Sequence, residues 1–206
     1  MSTQNTQTIV AYEKHIQQYI DTSPQEVSGL IKDWIDRALS RFPKSAHILE
    51  LGSAFGRDAN YIESLGYKIK RSDVVDGFIK LLQEQGHDVQ KINIITDILE
   101  EKYDLIFANG VLVHFSQTDA EQALAKIYLG LKDGGIFAFN IKSGFDESWT
   151  DKLDTSRYFN YWNAKEIDDM LKKSGFTEIE ITDGGKNARG ASWLSIIAVK
   201  HEKEQV

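Results

Sequence analysis

From residue 47 to the C-terminal strand, short apolar runs alternate with amphipathic helical stretches, and this alternation constrains the chain more than any other feature. Residues 47–51 (HILEL) read as a strand, followed by a glycine-bearing turn and a helix ending near Leu65. Residues 67–72 and 89–95 read as a second and third strand around a helix over 78–85. Residues 103–109 (YDLIFAN) make a fourth, whose unbroken apolar centre implies burial on both faces. Thr118 and Glu121 read as a capping box opening a helix, with Leu124, Ile127, Tyr128 and Leu131 on one face. Asp133, Gly134 and Gly135 read as a turn before a fifth strand over 136–141. Asn163 and Glu166 cap a last helix that stops at Gly175, and 177–181 and 193–199 alternate as a closing antiparallel pair. Strand–helix alternation of this kind predicts a doubly wound α/β sheet with helices on both faces, a single domain over 1–206.

Ahead of that pattern, residues 1–8 are polar and expected to be mobile. Ile9, Tyr12, Ile16, Tyr19 and Ile20 then recur at helical spacing. Ser23, Pro24 and Glu26 read as the N-cap, first turn and capping box of a helix whose apolar face is Val27, Leu30, Ile31, Trp34, Ile35 and Ala38.

Composition removes several chemistries. The 206 residues include no cysteine, which excludes disulfides, zinc–thiolate sites, iron–sulfur clusters and thiol nucleophiles. The five histidines form no metal-ligating pair, so no metal is expected. A net charge of −7 argues against a protein built to grip a phosphate backbone. No apolar run approaches the roughly 18 residues of a membrane span, and the first thirty residues lack a signal peptide's order, so the cytoplasm is the expected location.

In such sheets ligands bind beyond the carboxyl ends of the strands. The first strand leaves through Glu50-Leu51-Gly52-Ser53-Ala54-Phe55-Gly56-Arg57-Asp58, where Gly52 permits a tight turn and Gly56 a close approach of backbone to ligand. A Gly-x-x-x-Gly spacing suits a plain strand–helix turn equally well. Asp73 ends the second strand 23 positions after Glu50, where a carboxylate can accept hydrogen bonds from a ribose diol. The loop lacks the Gly-x-Gly-x-x-Gly of nicotinamide sites, which speaks against an oxidoreductase. Glu50, just before the first glycine, suits a cationic ligand, an ammonium or sulfonium, better than a pyrophosphate.

ILELGSAFGRDA resembles the first motif of the class I S-adenosylmethionine-dependent methyltransferases, and RSDVVDGFIKLL resembles their second. EKYDLIFANGVLVHF and LKDGGIFAFNIKSG resemble the fourth- and fifth-strand segments, and GFTEIEITD with WLSIIAVK the closing strands. The resemblance runs from about residue 12 to 200. It implies a Rossmann-like seven-stranded sheet of order 3-2-1-4-5-7-6, the last strand antiparallel, with an N-terminal helical lid over 1–22 and a substrate-side insertion over 142–162. It also implies that S-adenosylmethionine is the cofactor and S-adenosylhomocysteine the product. Carried onto this sequence, Glu50, Gly52, Ser53 and Gly56 would surround the methionine part. Asp73 would hold the ribose hydroxyls with Val74 beside the adenine, and Asn93 and Ile94 would flank the ring. Asn109, Gly110 and Val111 would lie across the methionine portion, and Tyr19 and Arg57 would close over the cofactor. Ala54 departs from the pattern, since many relatives have glycine there.

Methyl transfer needs a base only if the acceptor must first lose a proton. His114 is the candidate base, against a structural role in bonding the loop backbone. Tyr19 and Tyr158 are further catalytic candidates. Tyr12 and Tyr19, seven apart, share a helix face and read either as a lid or as packing. The aromatic run 157–162 reads either as a cage for a cationic or planar acceptor or as a cluster covering the sheet edge. Lys142 and Asp146 are expected to be solvated, and Arg189 to sit at a hairpin tip. The expected partner is a small-molecule acceptor methylated at oxygen or nitrogen, for a monomer or homodimer. A tRNA-base methyltransferase, which the closing WLSIIAVK segment also resembles, and a catalytically silent cofactor-binding subunit are the alternatives.

Overall fold

The computed structural model describes residues 2–150, 156–186 and 190–201. Helices α1 (Thr3–Lys14), α2 (Ile16–Asp21) and α3 (Gly29–Leu39) come first. They are followed by β1 (Ile48–Leu51), α4 (Arg57–Ser64), β2 (Ile69–Asp73), α5 (Asp76–Glu84), β3 (Val89–Lys91) and β4 (Tyr103–Ala108). After a 3-10 turn at Leu112–His114 come α6 (Gln117–Gly130), β5 (Leu131–Lys142), β6 (Glu147–Thr150) and β7 (Arg157–Asn160). The chain closes with α7 (Ala164–Lys173), β8 (Phe176–Lys186) and β9 (Ser192–Lys200).

Seven strands form one sheet in the order β3-β2-β1-β4-β5-β9-β8, while β6 and β7 pair separately as an antiparallel hairpin. The strands from β3 to β5 run parallel, and β9 is antiparallel to both of its neighbours. With the hairpin left out of the count, this is the expected 3-2-1-4-5-7-6 arrangement. Successive residues of the central strands serve opposite faces of the sheet. Leu49, Ile106, Ala108 and Phe139 pack under α6 and α7, whereas Ile48, Leu105, Phe107 and Ala138 pack under α3 and α4. On the second face Trp34 anchors α3: its ring lies 4.9 Å from that of Phe107 and its indole N–H donates to the Ile196 carbonyl at 3.1 Å.

Several boundaries differ from the sequence reading. Residues 3–8 are helical rather than mobile, and Asn5 and Thr8 are buried. Their short polar side chains find partners there, because Asn93 donates to Asn5 and the Tyr158 N–H donates to Thr8. Helix α3 begins at Gly29, not after Ser23, whose hydroxyl instead donates to the Tyr19 carbonyl at the end of α2. Helix α6 is capped by Ser116, which accepts from the Asp119 N–H, rather than by Thr118. Asp133–Gly135 belongs to β5, where the register against β4 shifts, instead of forming a separate turn. Strand β3 stops at Lys91 because the Asn93 side chain takes the Ile95 N–H and Asp97 takes that of Asn93. The capping box of Asn163 and Glu166 forms as expected, with both bonds present.

Candidate functional site

Between β1 and α4 the backbone enters the left-handed region three times, at Gly52 (φ 73°), Ala54 (φ 48°) and Gly56 (φ 85°). A Cβ on Gly52 would lie 2.6 Å from Val111 Cγ2, so the loop can pass the exit of β4 only without one. Ala54 adopts its conformation at a cost of about 1 kcal/mol. Asp73 holds it there. One carboxylate oxygen accepts from the Ala54 N–H at 2.8 Å, and the other accepts from the N–H groups of Val74 and Val75 at 2.8 and 2.9 Å. Burial pushes the Asp73 pKa up, and these three donors work in the opposite direction.

The loop borders a cavity of about 590 Å³, which shares walls with a smaller one of about 100 Å³. Gly52, Ala54, Asn109, Gly110, Tyr12, Tyr19 and His114 face both. Asp73, Val74 and Phe78 line the smaller part, and Ser53, Arg57, Asp58, Asn140, Lys142, Arg157, Phe159 and Trp193 line the larger. A relay of hydrogen bonds runs along the wall. Arg57 and Asn109 both donate to Asp58 at 2.7 Å, Asn140 donates to Asn109 at 2.5 Å, and the Gly110 N–H donates to Asn140 at 2.6 Å. Behind the loop, Glu50 is buried and its Oε2 has no hydrogen-bond partner. Burial first, and then the nearby Asp58 charge, push its pKa up to about 8.

Aromatic edges from α1 and α2 cover this space. The Tyr12 ring lies 5.2 Å from Tyr19 and 6.2 Å from Phe78, and Tyr19 lies 6.3 Å from Phe55. Burial raises the pKa of both phenols. The Tyr12 hydroxyl lies 2.9 Å from His114 Nε2 and accepts from Arg157 at 3.1 Å. His114 Nδ1 lies 2.7 Å from the Tyr158 carbonyl, which can only accept, so Nδ1 carries the proton and Nε2 accepts from Tyr12. Burial, aided by the charges of Arg157 and Lys142, drives the His114 pKa down to about 3.

Other residues singled out from the sequence fall elsewhere. Tyr158 faces away from the cavity. Strand alternation on β7 turns Arg157 and Phe159 inward and Tyr158 outward, where its hydroxyl donates to Glu147 at 2.5 Å and its ring meets Trp149 at 5.5 Å. Asn93 and Ile94 line neither part of the cavity; Asn93 is bonded to Asn5 of α1, and Ile94 belongs to the core. Lys142, expected to be solvated, stands 3.3 Å from the centre of the Phe159 ring and lines the cavity. Arg189 lies outside the described residues. Asp58, Asn140, Phe55 and Trp193 were missed. The signal for Asn140 was a lone amide in the buried run IFAFNIK, and for Asp58 an acid one turn beyond the glycine loop. Among the described residues no cluster of side chains could hold a metal ion, and no helix is long and apolar enough to cross a membrane.

The family model described as a methyltransferase domain matches residues 24–181. A carboxy-S-adenosyl-L-methionine synthase from Psychrobacter arcticus is 30% identical over 146 residues, covering 67% of this chain and 52% of that protein. The chain thus spans about half the length of this curated relative. Among solved structures, Burkholderia thailandensis 1,6-didemethyltoxoflavin-N1-methyltransferase, with bound 1,6-didemethyltoxoflavin and S-adenosylhomocysteine, superposes with a TM-score of 0.75 at 18% identity, over 98% of this chain and 92% of that one. The DhpI–SAH complex gives 0.76 at 14% identity, over 97% and 98%. At these identities the likeness establishes the fold.

Proposed function

The chain belongs to the methyltransferase-domain family of class I, S-adenosylmethionine-dependent enzymes, and on that premise we propose that it methylates a nitrogen or oxygen of a small-molecule acceptor. The observation that carries this reading is the pairing of Asp73 with Ala54: a buried carboxylate at the end of β2 pins a glycine loop above the partnerless carboxylate oxygen of Glu50. A buried carboxyl that ionises under a cation fits the ammonium and sulfonium of the cofactor. The cavity volume fits the methionine portion together with a small acceptor.

In this reading Asp73 takes the ribose hydroxyls, with Val74 and Phe78 beside the adenine. Gly52, Ser53, Gly56, Asn109, Gly110 and Val111 form the backbone cradle of the methionine portion, Glu50 lies beneath it, and Arg57 and Tyr19 close over it. S-adenosylmethionine held there would supply an activated methyl group to the acceptor's lone pair and would leave as S-adenosylhomocysteine. Holding the acceptor in line and excluding water supplies most of the acceleration. His114 is a positioning residue rather than a base, because its Nε2 lone pair is taken by Tyr12 and burial keeps the ring neutral. The proposed state is a monomer or a homodimer. The proposed location is the cytoplasm, which the cysteine-free composition suits.

Calorimetric titration with S-adenosylmethionine, S-adenosylhomocysteine and NADH tests the reading, with Asp73→Ala alongside. Binding of the two adenosyl compounds, weakened by roughly 2–4 kcal/mol in the variant, is the expected result. Absence of adenosyl binding would overturn it. Binding without methyl transfer to any small acceptor would favour the silent-subunit alternative, and transfer to tRNA the other.

A further inference from the structure

Resting on the methyltransferase reading, we propose that the acceptor carries an anionic group, a carboxylate or a phosphate, which docks between Arg157 and Lys142 beside the Phe159 ring. Arg157 is 6% exposed and lines the large cavity. Arg37, Arg41, Arg57 and Arg71 each have a carboxylate partner. Arg157 has none among the described residues. Its Nη1 donates to the Tyr12 hydroxyl, and its Nε is buried without a hydrogen-bond partner. A buried guanidinium left in this state is unfavourable until an anion reaches it.

The surroundings are cationic and rich in donors as well. Lys142 Nζ stands 3.3 Å from the centre of the Phe159 ring, and the Arg157 guanidinium carbon stands 5.4 Å from it. Two cations thus share one aromatic ring, which disfavours a cationic acceptor there and leaves a planar one, the other occupant of the cage that the sequence suggested. The indole N–H of Trp193, on the same cavity wall, is also buried without a partner. The guanidinium and the indole N–H only donate, so the matching ligand must bring the acceptor atoms. Of the carboxylates in the lining, Asp58 is already engaged by Arg57 and Asn109, and Asp21 sits at the end of α2. A planar fork such as guanidinium favours a carboxylate or phosphate held by two oxygens.

The test uses the full chain saturated with S-adenosylhomocysteine and titrated with benzoate, phenyl phosphate, neutral benzamide and cationic benzylamine, read by calorimetry. One of the two anions should bind at least about tenfold more tightly than benzamide, with benzylamine weakest, and the preferred anion distinguishes a carboxylate from a phosphate source. Arg157→Gln should weaken the anion by about tenfold or more while leaving S-adenosylhomocysteine affinity within about twofold. Lys142→Gln, nearer the rim, should weaken it as well and serves if Arg157→Gln does not fold. Equal binding of benzamide and the anions, no anion binding at millimolar concentration, or indifference to both substitutions would overturn the proposal. So would displacement of the anion by S-adenosylhomocysteine, which would assign Arg157 to the cofactor's own carboxylate. Repeating the titrations without S-adenosylhomocysteine separates failure of the anion site from failure of cofactor binding.

Discussion

Tyr12 and His114, 102 positions apart in the sequence, share a 2.9 Å hydrogen bond that ties the N-terminal helix to the exit of β4. Arg157 donates to the same hydroxyl and the far side of the imidazole bonds the Tyr158 carbonyl, so α1, the 3-10 turn and the β6–β7 hairpin are joined in one run of bonds. Each of these three bonds joins two different elements around the cavity.

Tyr12→Phe removes the central hydroxyl while keeping the ring. His114 Nε2 and Arg157 Nη1 would each lose a partner in a buried place, so stability should fall by about 1–3 kcal/mol. Thermal and urea unfolding read the change. A variant as stable as the parent would mean that water replaces the hydroxyl at no cost.

His114 sets a lower pH limit. Its pKa is about 3 in the fold, well below the ordinary value near 6.5. Between those two values the unfolded chain binds the extra proton, so the stability this neutral ring contributes is full above about pH 6.5 and is lost progressively as pH falls toward 3. NMR titration of His114 should show no protonation between pH 5 and 8. The rate profile should likewise lack a limb near 6.5, where a histidine base would place one.

Glu50 acts in the opposite direction. With its pKa raised to about 8, the folded protein holds a proton that the unfolded chain releases near 4.5. Its contribution is therefore intact below about pH 4.5 and is lost as pH rises through 8, partly cancelling the His114 slope where the windows overlap. A cationic ligand above it should drive the proton off. Calorimetry at pH 7 in buffers of different ionisation enthalpy should detect proton release on binding S-adenosylmethionine, and Glu50→Gln should abolish it.

The two small residues of the loop should respond in opposite ways. Gly52→Ala forces a Cβ to within 2.6 Å of Val111 Cγ2 at φ 73° and should cost more than about 2 kcal/mol, with weaker S-adenosylhomocysteine binding. Ala54→Gly relieves a left-handed alanine but frees the unfolded chain, so its net effect should stay within about 1 kcal/mol. Melting temperatures and calorimetry check both. A neutral Gly52→Ala would show that Val111 yields readily.

Much of this protein was legible locally. The apolar runs of β1 and β4, the glycine loop, the acid ending β2 and the Asn163–Glu166 cap depend on residues within a few positions of one another, and each formed where expected. Periodicity also fixed the sheet's class, because strands buried on both faces alternating with one-sided helices have few ways to pack. The tertiary structure alone decided what fills the site. The first turns of α1, up to residue 8, looked like a polar tail until Asn93 and the backbone of β7 supplied partners to Asn5 and Thr8. Tyr158 and Arg157 are neighbours in sequence, yet pairing with β6 turns only Arg157 into the cavity. His114 was a plausible base by its ordinary pKa, and became a neutral acceptor through burial and a tyrosine 102 positions away. Hydrogen-bond partners, desolvation and proton occupancy are set by groups that meet only when the chain closes on itself, and the spacing of residues along it holds no record of them.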